Sequence, residues 1–136
     1  PNLLNLASIN SIASKNISYV GDAISYATIV SNVGNVPLGT YDVPVTVFTE
    51  LSPSVSFIPG SLSINNVPVN CVNPSQINLG ILQPGDVRII TYNVRVNNAC
   101  PNIVYNIQKL LYGYDPLYIG TSTFSVNGNI VMTYIN

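Results

Sequence analysis

Residues 84–96 read Pro-Gly-Asp-Val-Arg-Ile-Ile-Thr-Tyr-Asn-Val-Arg-Val, a turn followed by strict alternation. Ile90, Tyr92, Val94 and Val96 fall on one side of an extended chain, and Thr91, Asn93 and Arg95 on the other. Successive side chains of a strand point to opposite faces, so this is the spacing of a half-buried strand. Pro84-Gly85 ahead of it is turn chemistry. The same pattern recurs over Ile24–Val30, where Ile24, Tyr26, Thr28 and Val30 oppose Ser25 and Ala27. Val43, Val45 and Val47 give a third strand, with Pro44 marking an edge or a bulge because it has no N–H for a ladder.

Outward from these, strands are predicted over 55–58, 61–64, 77–81, 103–111, 118–126 and 130–135. Short turn signals separate them: Gly21-Asp22, Gly34-Asn35, Pro59-Gly60, Asn65-Asn66, Asp115-Pro116 and Asn127-Gly128. No stretch combines helical spacing with caps. The pattern predicts an all-β chain, a sandwich or a barrel, forming a single domain over residues 1–136. A hairpin about Pro84-Gly85 is expected, and it would set Cys71 opposite Asn98.

Composition narrows the function. Apolar residues make up 47 % of the chain, enough for a packed core, while charged residues make up 7 %, far below the roughly 25 % of soluble proteins. The basic residues Lys15, Arg88, Arg95 and Lys109 are scattered and the net charge is −1, so neither nucleic acid nor an anionic membrane is an expected partner. A chain so near neutrality tends to associate, and the partner expected is protein, either itself or sister domains. No apolar run reaches the length of a membrane span. The N-terminus lacks the basic start of a secretion signal, so a removed signal or an excised domain is expected. Residues 1–14 read as an apolar strand carrying Leu3, Leu4, Leu6, Ile9 and Ile12. That strand can complete its own sandwich or a neighbour's sheet, since exposed edges recruit strands in trans.

Chemistry-bearing residues are sparse. Histidine is absent, which removes the commonest general base, the usual zinc ligand and any His-activated nucleophile. Asp22, Asp42, Glu50, Asp86 and Asp115 are isolated from one another in sequence. Asp22 and Asp86 each follow a turn glycine, where a short acid caps backbone N–H groups. No catalytic residue, cofactor or metal site is expected. Tyr105, Tyr112, Tyr114 and Tyr118 surround one hairpin and form a candidate binding patch, against the plainer reading of tyrosine as a packing residue of strands. Cys71 and Cys100 lie towards one end of the expected sandwich. They can form an internal disulfide, implying an oxidising compartment, or link subunits covalently.

Three segments carry a resemblance: 21–37 (GDAISYATIVSNVGNVP), 55–69 (VSFIPGSLSINNVPV) and 77–86 (INLGILQPGD). In order and spacing they resemble the bacterial and archaeal cell-surface repeat called domain of unknown function eleven. The ending, Gly120-Thr121-Ser122-Thr123 and a last strand, fits as well. The resemblance implies an immunoglobulin-like antiparallel sandwich with Greek-key connections, used outside the cell in stalks, adhesins or fibres, and no enzyme activity. Some similar surface domains join a first-strand Lys to a last-strand Asn by an isopeptide bond promoted by a buried acid. Asn129 stands at the start of the last strand, but Ser11 stands where the lysine would be, and serine has no amine to form the bond. The expected role is a non-catalytic structural subunit or repeat of an extracellular surface protein or fibre, with strand addition between subunits as one route of assembly. The alternative is an adhesin or ligand-binding module.

Overall fold

The computed structural model describes residues 7–69, 74–114 and 122–136, and only the backbone of Tyr114 and Ser122. Among the described residues every regular element is a strand. One sheet runs β1 (Ala7–Ala13), β3 (Ala23–Asn32), β9 (Val87–Val96), β6 (Ser63–Ile64), β7 (Val67–Pro68), with β5 (Val55–Phe57) also on β9. The other runs β2 (Ile17–Ser18), β12 (Val131–Ile135), β10 (Ile103–Tyr114), β4 (Val45–Leu51), β8 (Gln76–Gly80), with β11 (Ser122–Asn127) also on β10. All pairings are antiparallel except β2 with β12. This is the expected immunoglobulin-like sandwich. The chain switches sheets between β1 and β2, and again between β2 and β3.

Period-two alternation decides which residues build the core. In β3, Ile24, Tyr26, Thr28 and Val30 are buried, and in β9 so are Ile90, Tyr92, Val94 and Val96. Register sets Tyr26 opposite Tyr92, their rings 5.6 Å apart at 42°. Val47, Val104, Leu110 and Tyr112 face them from the other sheet, all without exposed surface. The Asn65-Asn66 turn forms as its sequence suggests, both residues in the left-handed region at φ 51° and 65°, and closes β6 onto β7. Pro44 stands just before β4, and the β4–β8 register slips between Val45 and Thr46, so the bulge reading holds.

Two expectations are corrected. The hairpin about Pro84-Gly85 does not form: β8 pairs with β4, while β9 lies in the opposite sheet. Both edges of β9 are occupied, one by β3 and the other by β5 and β6, which leaves no place for β8. The chain crosses between sheets instead, pinned by Leu82. Its N–H and C=O both bond Leu38, at 2.9 and 2.8 Å, and both side chains are fully buried. The basis for setting Cys71 opposite Asn98 disappears with the hairpin.

The second correction concerns the first strand. Ala7–Ala13 pairs along its whole length with β3 of the same chain, from Ala7 opposite Asn32 to Ala13 opposite Tyr26. Ala7, Ile9 and Ser11 face the core, whereas Ile12 points outward. As an assembly strand donated to a neighbour, Ile9 and Ile12 are therefore misassigned, because they complete their own sheet. Leu3, Leu4 and Leu6 lie outside the described residues.

Candidate assembly surfaces and a buried polar seam

Tyr112 does not belong to an exposed patch. It is fully buried and stacks on Phe124, ring centroids 5.9 Å apart at 29°. Its even-numbered position in β10 aims it inward, as it does Val104, Asn106, Gln108 and Leu110. Tyr105, at odd parity, is half-buried on the outer face. The side chain of Tyr114, and all of Tyr118, lie outside what the structure describes. The four-tyrosine patch thus loses its centre, and packing explains Tyr112.

A different surface emerges around Tyr105. On the outer face of the second sheet, Ile17, Tyr134 and Ile103 share one cross-strand row, and Met132 and Tyr105 the next. Ile17, Met132 and Tyr134 keep 60 %, 52 % and 56 % of their surface exposed. Tyr19, Val20 and Ile130, beside the ends of β2 and β12, are exposed as well, and Phe48 is exposed on β4. Sequence reasoning missed Tyr134 and Met132, although the alternation of β12 against buried Thr133 and Ile135 carries the signal. The outer face of the first sheet is also apolar, through Ile12, Ile29, Val87 and Ile89, but Ser, Thr and Asn interrupt it. Exposed apolar ground of this kind is the usual mark of a contact surface in proteins.

Between the sheets runs a polar seam. The Gln108 side chain is buried and its Oε1 accepts hydrogen bonds from the hydroxyls of Ser11 and Thr28, the latter at 2.5 Å. Its Nε2 donates to Thr49 Oγ1 at 3.1 Å. Beside it the Tyr92 hydroxyl donates to Asn106 Oδ1. Burial pushes the Tyr26 phenol up to about 12. Burial, and then the neighbouring Tyr26, raise Tyr92 as well, against the lowering effect of its bonds to Thr49 and Asn106. The seam links β1, β3, β9, β10 and β4 without a single ionised group. At its open end Asn129 bonds the backbone of Ser11, accepting its N–H and donating to its C=O, each at 2.8 Å. The structure therefore brings together Ser11 and Asn129, the pair that the surface-repeat resemblance aligned, and hydrogen bonds join them. Gln108 went unread in the sequence.

The acids act locally. Asp86 Oδ2 caps the N–H of Gln83 at 2.9 Å, and Asp22 Oδ2 caps that of Tyr19 at 3.2 Å, as their turn positions suggest. Partial desolvation works to raise the Asp22 carboxyl, but the Ser18 hydroxyl, the Tyr19 amide and Lys15 outweigh it, so its pKa lies below the ordinary value. Lys15 sits 3.6 Å away. Among the described residues no three His, Cys, Asp or Glu side chains gather as metal ligands. No helix among them is long and apolar enough to cross a membrane. Cys100 is exposed with a free thiol, and Cys71 lies outside the described residues.

No family model matches the chain, and no curated protein matches it. Solved structures do. A variant of BcpA, the major pilin subunit of Bacillus cereus, superposes with a TM-score of 0.66 at 8 % identity, over 96 % of this chain and 40 % of the pilin. The full-length major pilin SpaD of Corynebacterium diphtheriae gives 0.66 at 12 % identity, over 94 % of this chain and 34 % of the pilin. BslA, described as a bacterial hydrophobin, gives 0.59 at 12 %, over 99 % and 98 % of the two chains. At these identities the likeness establishes the shared sandwich fold. The chain spans less than half the length of either pilin.

Proposed function

We propose that this domain is a non-catalytic structural unit of an extracellular fibre or cell-surface layer, working by association with copies of itself or with sister domains. The observation that carries the proposal is the surface: large apolar side chains stand exposed on the outer faces of both sheets of a chain with only 7 % charged residues. Apolar area removed from water is the main driving force of association, and few charges oppose it here. The fold shared with major pilin subunits and the resemblance to a surface repeat both support this reading. The free thiol of Cys100 leaves room for a covalent link between units. Since Ala7–Ala13 fills its own sheet, association runs through the faces of the sandwich and not through donation of that strand.

The test is negative-stain electron microscopy of the purified protein over a concentration series, with and without reductant, beside a non-reducing gel. Regular filaments or sheets are expected, and a lasting dispersion of monomers would refute the proposal. Loss of order in reductant would assign cysteine to the contacts between subunits.

A further inference from the structure

Two charges stand on the outer face of the second sheet, and they have opposite sign. Glu50 on β4 is the register partner of Ile107, and Lys109 on β10 that of Phe48, so the two sit diagonally on neighbouring strands. Both are exposed, and neither forms an ion pair among the described residues. Around them lie Ile107 and Phe48, and beyond these Tyr105, Met132 and Tyr134. Tyrosine and methionine are enriched at the centres of protein interfaces, where an amphipathic ring or a flexible thioether gives much contact area.

We infer that this face, spanning β12, β10 and β4, is the site at which a second copy of the chain docks, sheet against sheet about a two-fold axis. The inference deepens the structural reading above and rests on it. Symmetry supplies the charge match. A two-fold contact presents the same patch from both sides, so Glu50 of each copy can meet Lys109 of the other. A face bearing one acid and one base, each unpaired at home, is complementary to itself. The outer face of the first sheet lacks this property. Its charged residue among the described strands is Arg95, and an identical copy would bring Arg95 towards Arg95.

The size fits as well. The three strands β12, β10 and β4, spaced by about 4.8 Å, with β10 rising about 3.4 Å per residue over its twelve residues, offer a projected footprint of roughly 600 Å². A standard interface buries about 800 Å² on each partner.

Sedimentation velocity on the full chain, over a concentration series, tests the inference through charge reversal. Glu50→Lys and Lys109→Glu each turn two attractive cross-contacts into repulsive ones, and each is expected to weaken dimerisation roughly tenfold. Mixed in equal amounts, the two single variants become complementary again, so the mixture is expected to associate at least as tightly as the parent. Tyr134→Lys, an exposed substitution outside the charge pair, is expected to abolish the dimer while leaving the circular dichroism spectrum and melting temperature unchanged. If the parent associates but the reversals, the mixture and Tyr134→Lys change nothing, this face is wrong and the structural-unit reading stands. A parent chain that stays monomeric at every concentration overturns both.

Discussion

The carboxamide of Asn129 clasps the backbone of Ser11 at both polar ends, its Oδ1 taking the N–H and its Nδ2 giving to the C=O, each at 2.8 Å. The two residues are 118 apart in sequence, and the contact ties the outer edge of β1 to the loop ahead of β12. An edge strand presents unpaired backbone groups that invite pairing with another chain. Here a side chain occupies two of them.

Asn129→Ala frees both groups at once. Each neutral hydrogen bond is worth about 0.5–1.5 kcal/mol, so the variant is expected to lose about 1–3 kcal/mol in urea unfolding. Asn129→Asp keeps the acceptor, loses the donor and sets a carboxylate near the Ser11 carbonyl, so it should not recover the parent stability. If Asn129→Ala unfolds at the parent's urea midpoint, the clasp contributes nothing.

Tyr92 and Asn106 form the second half of the buried seam, and their energies should be coupled. Tyr92→Phe leaves Asn106 Oδ1 buried without its donor, while Asn106 Nδ2 already lacks a partner among the described residues. That single change is expected to cost about 1–2 kcal/mol. In an Asn106→Leu background the same change removes only the bond to Thr49 and should cost less, giving a coupling of about 1 kcal/mol in a double-mutant cycle. Additive effects would mean that the bond is energetically idle.

These seams were only partly legible in the sequence. The faces of β3 and β9 could be read outright because the inward side of each is apolar but for Thr28, while Ser, Thr, Asn and Arg interrupt the outward side. In β10 the signal is lost: Ile103, Tyr105 and Ile107 line one side while Val104 and Leu110 line the other. A strand apolar on both faces hides which parity is the core, and so hides Asn106 and Gln108. The crossing at residues 81–86 was illegible for another reason. Pro84-Gly85 serves a hairpin or a sheet switch equally, and occupancy of both edges of β9 by distant strands decides between them. Ser11 and Asn129 were matched by resemblance to a surface repeat, since nothing local in either segment points to the other. The docking face was hidden because Met132 and Tyr134 meet Tyr105 and Ile103 only through the register of β12 on β10, two strands far apart in sequence.

Gly39 is a position where backbone geometry is unforgiving. It sits at φ 88°, and a Cβ there would lie 2.9 Å from the Gly80 carbonyl oxygen and 3.0 Å from the Val45 amide nitrogen. Both obstacles are backbone, fixed by the pairing of β4 with β8. Gly39→Ala therefore combines a left-handed conformation with a clash that no rotamer relieves. It is expected to destabilise by about 2–4 kcal/mol. Gly60→Ala is the control: it has a similar φ of 83° but open space around its Cβ, and should cost about 1–2 kcal/mol for the backbone alone. Equal losses at both positions would show that the close approach of Gly39 to β8 is not a constraint.

The buried phenols set the alkaline limit of the fold. Burial raises Tyr26 to about 12, and it raises Tyr92 too, because a phenolate between the sheets would lose its hydration. For an acid whose folded pKa exceeds the unfolded value of about 10, the stabilising difference is fully present below pH 10 and is lost as pH rises towards the folded pKa. Unfolding free energy should therefore be flat towards pH 9 in this respect and fall steadily between about pH 10 and 12. Ionisation of Tyr26 and Tyr92, followed by phenolate absorbance, should coincide with loss of the strand signal in circular dichroism. Tyr26→Phe removes one of the two groups and should move the alkaline midpoint upward, with little change at neutral pH because the Tyr26 hydroxyl has no hydrogen-bond partner among the described residues. A midpoint unmoved by Tyr26→Phe would mean that the sandwich opens for another reason before this phenol ionises.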